Sequence, residues 1–184
     1  MEKLRNRKTA AVIAAVVIVA STLLGTRQSV AKATARVERL FYDGVLVGTY
    51  VEPGIATHLE VRENASNGLI TLAKDHPELA RAAEKLTEAR RQLVDAGSIS
   101  RKAEANRLLQ AAYVEYLEVV KTVSLDDRER NMLETYTGQM DNAQREIGES
   151  AYNLKVDELR RQLETFPVSI LRRVTFAPYP QNFE

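Results

Sequence analysis

Apolar residues recur every three or four positions through most of the chain from Ile55 onward, which is the spacing of amphipathic α-helices. Breaks in this pattern predict three shorter helices and a long last one. They begin near Ile55, Pro77, Ser98 or Ser100, and Ser124, and the last continues without a proline to Phe166. At 1.5 Å per residue the last helix would be roughly 60 Å long. The pattern therefore predicts an all-α fold, an elongated antiparallel bundle of about four helices.

The segment that ends this long helix is "SAYNLKVDELRRQLETFP", residues 150–167. One apolar stripe of this segment consists of Tyr152, Val156, Leu159, Leu163 and Phe166. Asn153 lies one step around the helix, where its amide can bond to a neighbour's backbone. Pro167 disfavours the α conformation at Phe166, so we expect the helix to end there. The tail after it includes Phe176, Tyr179 and Phe183, and we expect it to fold back over one end of the bundle.

A different pattern precedes the bundle. Residues 9–25, from Thr9 to Gly25, carry no charge, and they follow a basic tail at residues 1–8. The run is roughly 25 Å long as a helix, close to the minimum that crosses a bilayer core. We interpret it as a single transmembrane helix. The alternative is a cleaved signal peptide, with small residues at Ser29–Ala31 or Ala31–Ala33 as cleavage sites.

Membrane orientation is weakly indicated by charge. Lys and Arg number four in residues 1–8 before the run and four in residues 26–39 after it, but those before it are more densely spaced. This favours a cytoplasmic N-terminus and a bundle outside the cytoplasm. Residues 26–54 then form a juxtamembrane helix and a glycine-rich loop at 42–54, and residues 55–184 form the bundle with its tail.

Composition excludes several functions. Lys plus Arg (26) nearly balance Asp plus Glu (25), and no basic groove with interleaved aromatics occurs, so nucleic-acid binding is not expected. The chain has no cysteine, which removes disulfides, thiolate metal sites and cysteine nucleophiles.

Candidate catalytic groups are also scarce. His58 and His76 would lie roughly 27 Å apart on a straight helix, and we interpret both as solvated surface residues. Glu-x-x-His metal pairs and phosphate-binding loops are missing from the sequence. We therefore predict no catalytic residue, no metal, no cofactor, no small-molecule substrate and no enzymatic activity.

Charged runs such as "EARRQ", "DDRERN" and "DELRRQ" fit solvated helix faces with i,i+3 and i,i+4 pairs. The arginine pairs Arg160–Arg161 and Arg172–Arg173 are candidates for contact with acidic lipid or protein.

The C-terminal segment resembles the LemA family of bacterial membrane-anchored helical proteins. That family's pattern is Tyr-Asn, a valine three residues on, a helix-ending Phe-Pro, and a terminus close to Phe-Glu. The matching residues here are Tyr152, Asn153, Val156, Phe166, Pro167, Phe183 and Glu184. The stretch at 58–79 is similar to the family's first long soluble helix.

In that stretch Arg62, Asn67, Leu69 and Ile70 stand near the family's Arg-Arg…Pro-Asn-Leu-Val element. The chain departs from the pattern at Glu63, Ser66 and Glu149, where the family carries a second basic residue, a proline and often a basic residue, respectively. The resemblance implies a membrane helix, a bundle of long helices and a poorly defined biochemical role. It supplies no catalytic residue.

The sequence thus favours a membrane-tethered, non-enzymatic helical bundle at the bacterial cell membrane that serves an unidentified protein partner as an interaction or scaffold protein. The rival hypothesis is a signal-cleaved, secreted helical domain that acts as a soluble binder or sensor. The sequence leaves the oligomeric state open.

Overall fold

The computed structural model describes residues 7–183, so residues 1–6 of the predicted basic tail and Glu184 lie outside the described residues. Its α-helices are α1 (Arg7–Asp43), α2 (Ile55–Leu72), α3 (Ala80–Asp95), α4 (Ile99–Val120), α5 (Asp127–Glu149), α6 (Tyr152–Glu164) and α7 (Val168–Thr175). Short 3₁₀ turns at Ala73–Asp75 and Pro77–Leu79 join α2 to α3. The predicted all-α class is confirmed.

Helix α1 begins at Arg7, just before the apolar run, and continues without a break to Asp43. The predicted juxtamembrane helix is therefore the second half of α1. Its apolar residues at three- and four-residue spacing face inward: Val30 and Phe41 are buried, and Ala33 and Val37 are half-buried.

The glycine-rich segment after α1 is not the plain loop that the sequence suggested. Strands β1 (Val45–Val47) and β2 (Tyr50–Glu52) pair antiparallel, with Val47 opposite Tyr50. Gly48 takes a positive φ of 63° at the first position of the two-residue turn, as type II′ hairpins require. The first strand thus pairs with the strand that directly follows the turn.

The predicted long last helix is also wrong, because it is two helices. Helix α5 ends at Glu149, Ser150 takes an extended conformation with ψ 133°, and α6 begins at Tyr152. The start of α5 differs as well. Asp126, rather than the predicted Ser124, accepts a bond from the Glu129 N–H, and the Glu129 carboxylate bonds back to the Asp126 N–H.

The described chain divides into two compact units. Unit 1 comprises residues up to Glu38 together with Leu154–Pro180, and unit 2 comprises Arg39–Asn153 together with the residues from Gln181 onward. In unit 2, α2 packs against α5 and α3, and α3 packs against α4. The close approach of α2 and α5 depends on Gly68, where a Cβ atom would overlap the Tyr136 ring.

Unit 1 has its own small hydrophobic core. Its buried members are Val30, Leu159, Leu163 and Ala177, and Ala33, Val37, Val168 and Tyr179 pack against them. The parts of α1 and α6 that belong to unit 1 therefore pack together with α7 and the residues that follow it up to Tyr179. The Thr34 hydroxyl also donates to the Pro178 carbonyl oxygen at 3.4 Å.

The apolar stripe of α6 is confirmed except at its end. Tyr152, Val156, Leu159 and Leu163 are all buried. Phe166, expected to close the stripe, is 81 % exposed. The helix ends two residues before it, at Glu164, so Phe166 no longer follows the helical period. The Phe166–Pro167 peptide bond is cis.

Candidate functional site

The predicted membrane segment is an exposed apolar helix surface. Seven large apolar side chains between Val12 and Leu24 are each 44–67 % exposed. By length and composition α1 is able to cross a membrane, and none of its most apolar window is buried inside the protein. Exposure of such a surface to water is unfavourable, and residues 7–183 do not cover it.

The Tyr152–Asn153 pair holds the C-terminal tail. The Tyr152 hydroxyl donates to the Gln181 carbonyl oxygen at 2.7 Å. The Asn153 amide donates to the Phe183 carbonyl oxygen at 2.8 Å, and its Oδ1 accepts from the Phe183 N–H at 2.9 Å. The side-chain amide of Asn153 thus pairs with one residue's backbone as a neighbouring strand does. The predicted backbone-binding role of Asn153 is observed.

Aromatic packing reinforces this tail contact. Phe41 is fully buried, and its ring centroid lies 5.6 Å from that of Tyr152 and 5.5 Å from that of Phe183. Phe183 itself is only 6 % exposed. Two of the predicted motif residues therefore share one cluster with an aromatic side chain from the end of α1.

Two polar residues of this region were not predicted. The Gln181 Oε1 atom accepts from the Ser100 N–H at 3.1 Å and from the Ser100 hydroxyl at 3.0 Å, in the first turn of α4. Glu52, in β2, accepts from the Ala151 N–H at 3.0 Å, just before α6. Both bonds join residues more than 80 positions apart, so no local pattern could have indicated them.

A second candidate site surrounds Arg62, which belongs to the stretch that resembles the family element. The whole Arg62 side chain, including its charged head, is buried. Nη2 donates to Gln110 Oε1 at 2.6 Å, whereas Nε and Nη1 have no hydrogen-bond partner among the described residues. Burial lowers the pKa of Arg62 to about 10, so the guanidinium still carries its charge at neutral pH.

Other polar side chains lie in the same unit. The Tyr113 hydroxyl donates to Asp141 Oδ1 at 3.1 Å, and burial with this carboxylate raises the Tyr113 pKa. Both residues act electrostatically on Arg62 and partly offset the effect of its burial. The Tyr116 hydroxyl donates to the Leu69 carbonyl oxygen at 2.9 Å, and burial raises its pKa to about 12. These phenols stay protonated at neutral pH and act as hydrogen-bond donors.

The remaining residues of the resembling element differ in exposure. Leu69 is fully buried, Ile70 is half-buried and Asn67 is exposed. Only Arg62 therefore brings an ionised group into the interior.

The prediction that both histidines are solvated surface residues is wrong for His76. His76 Nε2 lies 2.9 Å from Glu129 Oε1, and the side chains of this pair are 15 % and 23 % exposed. The Asp126 N–H and, to a smaller extent, His76 lower the pKa of Glu129. His76 thus contacts the capping box of α5, which is a structural arrangement. Within residues 7–183 no hydroxyl is hydrogen-bonded to either histidine, and no group of three or more His, Cys, Asp or Glu side chains is placed to hold a metal ion.

The candidate arginine pairs divide between two roles. Arg160 and Arg172 stack on the Tyr179 ring, 5.0 and 4.6 Å from its centroid, and Arg160 also donates to the Pro180 carbonyl oxygen. Arg161 and Arg173 are exposed. Only the second member of each pair is therefore available to an acidic partner.

Two of the three charged runs form the predicted i,i+3 ion pairs on exposed helix faces. Exposed i,i+3 ion pairs join Arg91 to Glu88 at 2.7 Å and Arg130 to Asp127 at 2.6 Å. Such pairs contribute little to stability and keep these faces solvated.

We found no protein-family model, no curated protein and no solved structure that matches this chain.

Proposed function

We propose that the chain is a single-pass membrane protein of the bacterial envelope, similar to the LemA family, whose helical unit 2 binds another protein. The observation that carries the proposal is the exposed apolar surface of α1 between Val12 and Leu24. A bilayer is the surrounding that such a surface requires. The denser positive charge before the span favours a cytoplasmic N-terminus and an extracytoplasmic unit 2.

The packing of unit 1 supports an anchor over a cleaved signal peptide. Val30 is 5 % exposed and belongs to the core with Leu159, Leu163 and Ala177. The candidate cleavage sites after Ala31 and Ala33 lie within α1, and cleavage at either would remove Val30 from this core. A signal-cleaved, secreted binder would thus lose part of its own packing.

The experiment is N-terminal sequencing of the mature protein, together with extraction of the membrane fraction at alkaline pH. We expect an intact N-terminus and a chain that stays with the membrane pellet. A mature chain that begins at Lys32 or Thr34 contradicts the anchor and supports the secreted form.

The β1–β2 hairpin supports protein binding. Leu46 and Val51 are cross-strand partners on one face of this two-stranded hairpin and Tyr50 lies on the other face; they are 65, 54 and 63 % exposed, respectively. Apolar side chains grouped in this way on a soluble surface mark interaction sites. The Ala151–Glu52 hydrogen bond fixes the far strand of the hairpin and so gives this patch a defined position within unit 2.

The partner experiment is affinity capture from detergent-solubilised membranes, with wild type and the double variant L46S/Y50S compared side by side. Both substitutions are at exposed positions, so we expect the fold to be unchanged and the captured protein to be lost. V114S, at a 49 % exposed position of α4, is the matched control. Equal capture by all three chains contradicts the assignment of the hairpin to the partner.

A further inference from the structure

Helix α7 is amphipathic, but part of its apolar side chains face outward. Val168 packs against the unit 1 core, whereas Ile170 and Val174 are 55 and 56 % exposed. Four residues separate these two, so they lie on one face of the helix. Arg173, also exposed, lies beside them. We call Ile170, Val174 and the next exposed apolar residue, Phe176, the α7 apolar face.

Phe176 is the residue that the fold of unit 1 explains least. It takes a left-handed conformation, with φ 50° and ψ 39°, directly after the last turn of α7. Glycine usually occupies this position, because a side chain there is sterically unfavourable. The Phe176 side chain is 89 % exposed, so core packing does not account for a phenylalanine. An aromatic side chain this exposed is available for a contact outside the chain.

The neighbours of Phe176 indicate where it lies. It shares a surface recess with the last residues of the predicted span and the first charged residue after them. The recess is lined by Leu24, Arg27, Gln28, Ala31, Phe176 and Pro178. Leu24 is 67 % exposed and comes one residue before the end of the apolar run at Gly25. In a chain anchored by residues 9–25, Phe176 is therefore at the level where the bilayer core meets the headgroups.

We propose that the α7 apolar face inserts into the surface of the same bilayer that α1 spans, so that unit 1 contacts the membrane a second time. Apolar and aromatic side chains with adjacent arginines are the composition of interfacial helices, which bury their apolar face about 5–10 Å into the headgroup and acyl boundary. Arg173 and Arg27 are placed to meet anionic lipid headgroups. This inference rests on the proposed membrane anchor.

The chain lends itself to a direct test because it has no tryptophan. Three single-tryptophan variants of the full chain, F176W, L154W and V17W, are reconstituted into bilayers of purified phosphatidylcholine and phosphatidylglycerol. Leu154 is the matched control, since it belongs to unit 1, is 68 % exposed and lies near the start of α6. Val17 is 57 % exposed within the predicted span and reports on the anchor itself.

Each variant is quenched with brominated phosphatidylcholine from the lipid side and with acrylamide from the water side. We expect brominated lipid to quench F176W at least about twofold more than L154W, with the reverse order for acrylamide. Adding V174D to F176W should return the lipid quenching toward that of L154W, because a charge disfavours insertion of the face. Circular dichroism of each variant checks that the helices form.

The outcomes separate the two proposals. If brominated lipid quenches V17W but F176W behaves like L154W, the inference is overturned and the anchor stands. If F176W is shielded from acrylamide without quenching by brominated lipid, a second copy of the chain covers the face, and the inference is again overturned. If brominated lipid does not quench V17W, the proposed anchor fails, and the inference fails with it.

Discussion

Replacement of Asn153 by alanine should release the C-terminal tail. The substitution removes both bonds between the Asn153 amide and the Phe183 backbone, of 2.8 and 2.9 Å. Each contributes about 1 kcal/mol net, and their loss leaves the N–H and C=O of a residue that is only 6 % exposed without partners. We expect the free energy that keeps the tail docked to fall by about 2 kcal/mol. Because the tail is held through a few residues around Gln181 and Phe183, its backbone can regain water by detaching while the rest of unit 2 stays folded.

A loss of this size raises the detached fraction of the tail roughly 30-fold. Two measurements follow it: the rate at which a carboxypeptidase removes the C-terminal residues, and the urea midpoint from circular dichroism in detergent. Y152F, which removes the 2.7 Å bond from the Tyr152 hydroxyl to the Gln181 carbonyl oxygen and keeps the ring, should produce about half the effect in free energy. N142A is the control, since Asn142 is exposed on α5. The reasoning is refuted if N153A matches N142A in both measurements.

Four further substitutions test unit 2 by their urea midpoints. G68A should destabilise by about 1–3 kcal/mol because its Cβ overlaps the Tyr136 ring, whereas G148A, with open space among the described residues, should stabilise by about 0.5–1 kcal/mol. A G68A chain as stable as wild type contradicts the close approach of α2 and α5. R62M should leave the free energy of unfolding unchanged or raise it by about 1–4 kcal/mol, since a buried charge with a single hydrogen bond is poorly compensated. A loss above about 2 kcal/mol would show that the guanidinium has partners that the structure does not show. E129Q should be less stable than wild type at pH 7, and the difference should vanish as the pH falls through the lowered folded pKa of Glu129. A carboxyl group whose pKa is lowered by folding stabilises the folded state only while it is ionised. A difference that persists at pH 2 contradicts this origin.

The helical period of the sequence predicted the parts of the fold that depend on local pattern. Val156, Leu159 and Leu163 are buried as the stripe required, and Ser98 caps α4 as expected, accepting from the Arg101 N–H. Continuous periodicity also led correctly from the apolar run into the rest of α1. In these cases the property that the sequence displays, burial of one helix face, is the property that decides the structure.

The errors arise where a distant contact decides the outcome. The break at Ser150 lies inside an unbroken apolar period, and the carboxylate that satisfies the next backbone N–H comes from Glu52. The hairpin was missed because β1 was judged without β2, although Gly48 marked the turn. At Arg62 the helical period correctly indicates an inward-facing position, but it does not indicate that the charged head is buried as well. An arginine at such a position is normally expected to keep its charged head in water.

The hydrogen bonds of the Tyr152–Asn153 pair leave the polar groups of these two side chains poorly available to a binding partner. The Tyr152 hydroxyl and both ends of the Asn153 amide are already bonded to the chain's own tail. A partner that used these groups would first have to displace Phe183 from its contact with Phe41, and so would remove a buried aromatic side chain from its cluster. Three of the residues that carry the resemblance, Tyr152, Asn153 and Phe183, are therefore engaged in contacts within the chain. The binding surfaces that we propose are instead side chains that the fold leaves uncovered: the hairpin for a protein and the α7 apolar face for lipid.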